Sequence, residues 1–333
     1  MTRSAVVVIG CSAGGVAALQ ALIRRVPAGF EAPVFIVMHI PAHTPSHLAS
    51  ILQRHSVLPV KEAIDGEAIV PGTVYVATAD RHLMVEGQNI RVTRGPKEGR
   101  SRPAIDVLFR SAAASFGPGV VGVVLTGTLD DGTAGLWAIK DQGGVALVQE
   151  PATAEFSSMP ESAIEHVDVD KVLPLEDLAH EIVRRVNQRP ARESHVEIPR
   201  RMEAENLIAR QGNALKAGVM KLGKVSAYTC PECHGVLVQI EEGRITRFRC
   251  HTGHSYSLKT LLAEVDESIE ASLWATMRAI EERVLLLRHM AEIARRSNNA
   301  PAAAEMDAQA NESQQRASPL RDLVFDSKLF SSR

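Results

Sequence analysis

From Ala5 to about Val186, short unbroken apolar runs alternate with segments whose apolar positions recur at helical spacing. The runs Ala5–Ile9, Pro33–Met38, Thr73–Thr78, Gly119–Leu125 and Val145–Glu150 lack polar alternation, the pattern of strands buried on both faces. Helices are expected between them at Gly15–Arg25, Pro45–Arg54, Ala104–Ser115, Gly132–Gln142 and Leu175–Asn187. This alternation predicts an α/β fold, a doubly wound and mostly parallel sheet with helices on both faces, over residues 1–187. Val57–Arg94, with turns at Asp65-Gly66, Pro71-Gly72 and Glu86-Gly87, is expected to form brief strands in an antiparallel insertion or edge.

The pattern then changes. Residues 188–226 read as a linker with a short helix, because Gln188-Arg189-Pro190 and Ile198-Pro199-Arg200-Arg201 bracket polar residues of little apolar content. A small unit occupies 227–257, and a long helix is expected over 258–297. In that helix Leu273, Met277, Ile280, Val284, Leu287, Ala291 and Ala294 step alternately by four and three, forming a heptad seam. Pairing within the chain or between copies, which would make a homo-oligomer, stays open. The tail over 298–333, rich in Ala, Asn, Gln and Ser, is expected to be loosely ordered.

Composition narrows the function. A chain of 333 residues corresponds to about two domains. With 45% hydrophobic and 23% charged residues and a net charge of −2, it is globular and lacks the basic excess that nucleic acid would require. Aromatic residues are only 4%, so the core must be built from Val, Ile, Leu and Ala. The longest apolar stretches, such as Val34–Met38 and Val120–Leu125, fall far short of a bilayer span, so no membrane insertion is expected. Met1–Ser4 leads into a strand without a leader pattern, and the cytoplasm is the expected compartment.

Three predicted strand ends carry candidate chemistry. Gly10-Cys11-Ser12-Ala13-Gly14 follows the first strand and fits G-x-S-x-G, which exposes a serine on a strand-to-helix turn. A dinucleotide loop competes, but Ser12 occupies its second glycine position and no acid follows the second strand to hold a ribose. An N-capping serine in a glycine-rich turn is the plainest alternative. The second strand ends at His39, and a later one leads through Thr126-Gly127-Thr128-Leu129 to the paired acids Asp130 and Asp131. Separately, His39 could be a satisfied core-edge imidazole and either acid a helix cap. Together the three supply a nucleophile, a base and an orienting carboxylate. Their order, Ser then His then Asp, differs from that of α/β-hydrolases.

Ile9–Gly15, Met38-His39-Ile40-Pro41, Ser101–Ser111, Leu125-Thr126-Gly127 with Asp131-Gly132, and Met159-Pro160 together resemble the chemotaxis methylesterases of the CheB family. The resemblance covers Ala5 to about Val186. It implies hydrolysis of glutamyl 5-methyl esters on methylated chemoreceptors, often with glutamine deamidation. By it Ser12 is the nucleophile, His39 the general base and Asp131 the orienting acid, with backbone donors near Thr128 and at His39 forming the oxyanion hole. No cofactor is implied for catalysis.

The chain departs from the family at Ala13, where Thr is common, and at Thr128-Leu129-Asp130, where Met-Gly-Asn is common. The added carboxylate and bulkier Leu129 could weaken binding of an acidic receptor segment. With the sequence beginning at the catalytic domain, control by phosphorylation of a receiver domain of its own is not expected. Between Arg91 and Arg102, five basic residues face the single acid Glu98. They read as a solvated loop, with steering of an acidic helix the sharper alternative. Cys11 reads as a small buried packing residue.

Cys230-Pro231-Glu232-Cys233 and Cys250-His251-Thr252-Gly253-His254 form a second constellation, a zinc ribbon by spacing. Cys230, Cys233, Cys250 and His254 would hold a structural zinc, with His251 the alternative fourth ligand. Val236–Ile240 and Ile245–Arg249 would form the joining hairpin. A unit of this size needs the metal in order to fold. Docking of a protein partner suits it better than nucleic acid. Two functions follow: an esterase, or a non-catalytic adaptor in which ribbon and helix recruit a partner. The intact Ser12, His39 and Asp131 favour the enzyme.

Overall fold

Unbroken apolar runs become parallel strands because both of their faces are covered. In the computed structural model, which describes residues 5–44, 46–188 and 198–325, the first half runs β1 (Val6–Cys11), α1 (Gly15–Ile23), β2 (Val34–Met38), α2 (Leu48–Gln53), β3 (Val60–Glu62), β4 (Val74–Val76), β5 (His82–Glu86) and β6 (Asn89–Thr93). It continues through α3 (Ile105–Phe116), β7 (Val120–Val124), α4 (Thr133–Asp141), β8 (Val145–Gln149), α5 (Ser158–His166), β9 (Lys171–Leu173) and α6 (Leu175–Asn187). The sheet has seven strands in the order β3-β4-β2-β1-β7-β8-β9, and every pairing is parallel.

Alternation within β1 shows how the core divides. Val6 and Val8 join Leu108, Phe109, Leu136 and Ile139 on the face covered by α3, α4 and α5. Val7 and Ile9 join Leu19, Leu22, Leu52 and Ile182 on the opposite face, under α1, α2 and α6. Each such side chain contributes about 1.5–3 kcal/mol on full burial. The interval expected to be an antiparallel insertion splits: β3 and β4 extend the main sheet in parallel, and only β5 and β6 form an antiparallel hairpin. The pattern did not predict α5 or the short edge strand β9.

The remainder comprises α7 (Arg200–Gln211), β10 (Lys224–Thr229), β11 (Val236–Glu242), β12 (Ile245–Cys250), β13 (Ser255–Ser257), α8 (Leu258–Arg296) and α9 (Ala300–Phe325). Part of the expected linker, 189–197, lies outside the described residues. α7 lies against the first half, with Thr93 Oγ1 donating to the Ala209 carbonyl at 2.8 Å and Arg110 Nε to Asn206 at 3.3 Å. The anticipated hairpin is β11 with β12, extended to four antiparallel strands by β10 and β13. The ribbon is not a separate body: the chain divides into two compact units, Met1–Thr260 and Leu261–Arg333, and the ribbon belongs to the first.

Within the second unit Ala300–Phe325 of the expected loose tail is instead a helix, and 326–333 lie outside the described residues. Asn299 accepts the Ala302 N–H at its start, and Ala303, Ala310 and Ala317, seven residues apart, are buried. α9 runs antiparallel to α8, held by Arg288 to Gln314 at 2.6 Å, Arg321 to Glu281 at 2.5 Å and an Arg295–Asp307 pair. Met277, Val284 and Ala291 of the heptad seam are buried, so the seam finds its partner within the chain. Alanine is a strong helix former, and a facing seam gives even a weakly amphipathic sequence somewhere to pack. No helix among the described residues is long and apolar enough to cross a membrane.

Candidate active site and metal centre

The three neighbouring central strands β2, β1 and β7 deliver their following residues to one place, the carboxyl edge of the sheet where open α/β folds bind ligands. Ser12 sits on the turn after β1. Gly14 adopts φ +75° to start α1, a conformation that favours glycine. The turn is tied down by Ser12 N–H donating to the Thr126 carbonyl at 3.0 Å and Thr126 Oγ1 to the Ala13 carbonyl at 3.0 Å.

His39 links the other two. Its Nδ1 lies 3.1 Å from Ser12 Oγ and its Nε2 lies 2.7 Å from Asp131 Oδ2. A carboxylate only accepts, so Nε2 carries the proton and Nδ1 is free to accept from the serine hydroxyl. Asp131 is 4% exposed. Its Oδ2 also accepts the Ile105 N–H at 2.7 Å and its Oδ1 the Asp106 N–H at 3.0 Å, so the carboxylate caps the N-terminus of α3. Asp106 returns the arrangement on α4, accepting from Gly132 at 3.0 Å and Gly135 at 2.6 Å. Burial, with the adjacent Asp131 charge, pushes the Asp106 carboxyl well above its ordinary range.

The sequence reading assigned no role to several supporting residues. A Cβ on Gly127 would lie 2.2 Å from Met159 Sδ and 2.9 Å from Ser12 Cβ, so only glycine lets β7's exit pass the serine. Buried His82 accepts the Ala104 N–H at Nδ1 (3.3 Å) and donates from Nε2 to the Pro96 carbonyl (2.8 Å), holding both ends of the loop before α3. Burial keeps its imidazole below the usual histidine range. Of the two anticipated backbone donors, the His39 N–H is committed to the Cys11 carbonyl at 3.3 Å. The Thr128 and Ala13 N–H groups make no hydrogen bond among the described residues. Cys11 is fully buried, and burial raises its thiol far from reactivity.

Beside His39 opens a groove of about 430 Å³ lined by Ile40, Pro41, Lys97, Ser101 and Arg102, among others. Much of the basic charge between Arg91 and Arg102 is paired. Arg94 and Arg102 both meet Asp80, and Arg91 meets Glu86 at 3.3 Å. Asp130, the departure that threatened to repel an acidic segment, is turned away: its Oδ1 accepts from Ser257 Oγ at 2.9 Å. Burial keeps its carboxyl above the ordinary range.

At the ribbon's end the ligand atoms of Cys230, Cys233, Cys250 and His254 all lie within 4.8 Å of one another. Cys233 and Cys250 Sγ are 3.6 Å apart, and His254 Nδ1 is 3.6 Å from Cys230 Sγ and 3.7 Å from Cys250 Sγ. A tetrahedron with bonds of about 2.0–2.3 Å has edges of roughly 3.5–3.8 Å, so the donor set fits a single such ion. His254, and not His251, belongs to this group. Glu232 sits 3.5 Å from His254 Nε2, as a carboxylate does behind a ligating imidazole.

A parallel doubly wound sheet with a serine, a histidine and a buried aspartate hydrogen-bonded in series at its carboxyl edge defines a hydrolase-type α/β domain. The family profile described as CheB methylesterase matches residues 7–182, and the chain belongs to that family, a family of hydrolases. A Leptospira interrogans protein, named provisionally as a protein-glutamate methylesterase/protein-glutamine glutaminase, is 42% identical over 179 residues, 54% of this chain and 93% of its own length. A Xanthomonas campestris protein-glutamate methylesterase/protein-glutamine glutaminase is 40% identical over 186 residues, 55% of this chain, but the match spans only 52% of that protein. Among solved structures, the Thermotoga maritima CheB methylesterase catalytic domain is 36% identical, with a TM-score of 0.53, covering 54% of this chain and 98% of that one.

Proposed function

We propose that this chain is a protein-glutamate methylesterase acting in the cytoplasm on methylated chemoreceptors or a related signalling protein, with glutamine deamidation as a second activity. The observation that carries the reading is the hydrogen-bonded series Ser12, His39, Asp131 at 3.1 and 2.7 Å. Ser12 Oγ attacks the ester carbonyl carbon while His39 Nδ1 takes its proton. Asp131 holds the ring's tautomer and stabilises the imidazolium. Collapse of the tetrahedral intermediate expels methoxide, which leaves as methanol with the proton from Nδ1. Water then attacks the glutamyl-serine ester by the same route and releases glutamate. With a glutamine side chain the first leaving group is ammonia.

The Thr128 and Ala13 N–H groups are the donors for the oxyanion, each worth about 2.7–4 kcal/mol in the transition state. Such a series, with the nucleophile unencumbered, would have no use in a non-catalytic adaptor. Methanol release from methylated receptors tests the proposal: Ser12→Ala should abolish it and leave the fold intact. Undiminished release by Ser12→Ala would remove Ser12 from the mechanism.

At the second site Cys230, Cys233, Cys250 and His254 would hold one zinc ion. Four protein ligands close its coordination, so its contribution is folding free energy and not chemistry on the substrate. Metal analysis of protein purified under reducing conditions should give about one zinc per chain.

A further inference from the structure

The loop that walls the groove beside His39 is suspended from the ribbon. Gly99 N–H donates to the Ser255 carbonyl at 2.8 Å, and Ser255 N–H donates to the Lys97 carbonyl at 3.2 Å. Glu98, between them, turns inward and is 2% exposed. Its carboxylate accepts from Arg110 of α3 at 2.9 and 3.1 Å and pairs with Arg249 of β12 at 2.8 Å.

Arg249 is fully buried and immediately precedes Cys250. It also donates to the Gly253 carbonyl at 2.9 Å and to Glu205 of α7 at 2.8 Å. Arg247 completes the cluster, bonding Glu205 twice at 2.8 Å and Glu242 at 3.0 Å. Three guanidinium groups (110, 247, 249) thus meet three carboxylates (98, 205, 242) in the buried seam between ribbon and catalytic half. From the other knuckle Glu232 bridges His254 Nε2 and Lys97 Nζ, each at 3.5 Å. The stretch 249–255 therefore carries two of the four candidate metal ligands, Cys250 and His254, and the groups that hold 97–99 in place.

The triad is tied differently. Asp131 rests on the α3 N-terminus and Ser12 on β7, and neither makes a hydrogen bond to the ribbon.

We propose that the metal-loaded ribbon positions the groove-lining loop 97–102, so that metal occupancy governs how well the ester-bearing segment binds while leaving the chemical step nearly intact. Arg249, Ser255 and Glu232 are the positioning residues. The inference rests on the metal reading of the Cys₃His cluster. The turn between Cys250 and His254 is closed locally by the Cys250 N–H on the His254 carbonyl and the Gly253 N–H on the Cys250 carbonyl, each at 3.0 Å; the ion would add the bonds that tie this turn to the Cys230–Cys233 knuckle, and removing it frees one from the other.

The test uses the full chain, metal-loaded and after chelation under reducing conditions, with metal content, amide hydrogen exchange and the KM and kcat of methyl-ester hydrolysis measured on the same samples. Stripping should accelerate exchange over 97–102 by at least about tenfold, the consequence of losing two backbone hydrogen bonds. Peptides from β1 and β7 should be unchanged. KM should rise by about tenfold with kcat nearly constant, and added zinc should restore both exchange and KM. Arg249→Met, which keeps all four ligands, should retain the metal and still show the faster loop. Protein that neither contains nor takes up metal overturns the metal reading. Metal bound and then removed, with exchange over 97–102 unaltered, overturns the positioning role alone.

Discussion

Replacing Asp131 by Asn separates two duties that one carboxylate performs. In the wild-type chain its oxygens accept from His39 Nε2 at 2.7 Å and from the Ile105 and Asp106 N–H groups at 2.7 and 3.0 Å. All three partners donate, and an amide offers only one acceptor oxygen. If that oxygen stays with the helix N-terminus, the amide NH₂ faces Nε2. The imidazole must then accept there and carry its proton on Nδ1, against the Ser12 hydroxyl. The base is lost. The expected fall in kcat is up to about 10⁴, or roughly 5 kcal/mol of transition-state stabilisation. The helix cap is weakened in the same step, at about 1–3 kcal/mol of stability, because hydrogen bonds to a charged acceptor become neutral ones.

Asp106→Asn is the matched control. Asp106 caps α4 through Gly132 and Gly135 as Asp131 caps α3, yet has no bond to His39. Because burial and the Asp131 charge disfavour its ionised form, Asp106→Asn should cost less stability than Asp131→Asn, and less than about tenfold in kcat, since no tautomer changes. Methanol release at saturating methylated receptor, with urea unfolding of each variant, provides the comparison. Asp131→Asn retaining more than about a tenth of wild-type kcat, or Asp106→Asn falling as far, would refute the assignment.

Three further outcomes are expected. Gly127→Ala places a methyl group against Met159 Sδ and Ser12 Cβ; overpacking of about 1–3 kcal/mol and a marked loss of hydrolysis should follow, and wild-type kinetics would show that the turn has slack. Burial raises the Glu98 carboxyl, but Arg110 and Arg249 outweigh it and hold it down at about 2. A folded pKa below the unfolded one contributes stability that is complete above the unfolded value and lost as pH falls through the folded one. The stability gap between wild type and Glu98→Gln, read by urea titration, should therefore be widest above about pH 4.5 and close toward pH 2; a gap independent of pH would deny the ion pairs their role. Val284→Asp buries a charge in the α8 seam and should lower the helicity of the second unit by circular dichroism with little effect on ester hydrolysis; unchanged helicity would mean that the seam is not what holds the hairpin.

Local pattern was sufficient for the central strands β1, β2, β7 and β8 because strands buried on both faces must be apolar throughout, whatever their neighbours. The same holds for β11 and β12, which the metal-ligand spacing brackets. Short edge elements such as β3 and β9 bury little and leave little periodicity. The first strand ends also announced Ser12 and His39. Asp131 was separable from Asp130 only through the family resemblance, and the structure explains the difference: Asp131 meets His39 while Asp130 meets Ser257.

The amino-acid sequence alone thus determined the α/β class, marked Ser12 and His39 at strand ends as candidates and grouped Cys230, Cys233 and Cys250 with two candidate histidines, His251 and His254. These depend on strand burial and on short-range spacing. Tertiary structure decided what depends on contacts between distant segments: that His39 presents Nδ1 to the serine, that Asp131 doubles as a helix cap, and that the heptad seam is covered by α9. It also decided that the ribbon is built into the catalytic half. Arg110, Glu205 and Arg249 look in sequence like ordinary surface charges, and only the fold brings them together with Glu98 out of water, where none of them could remain unpaired.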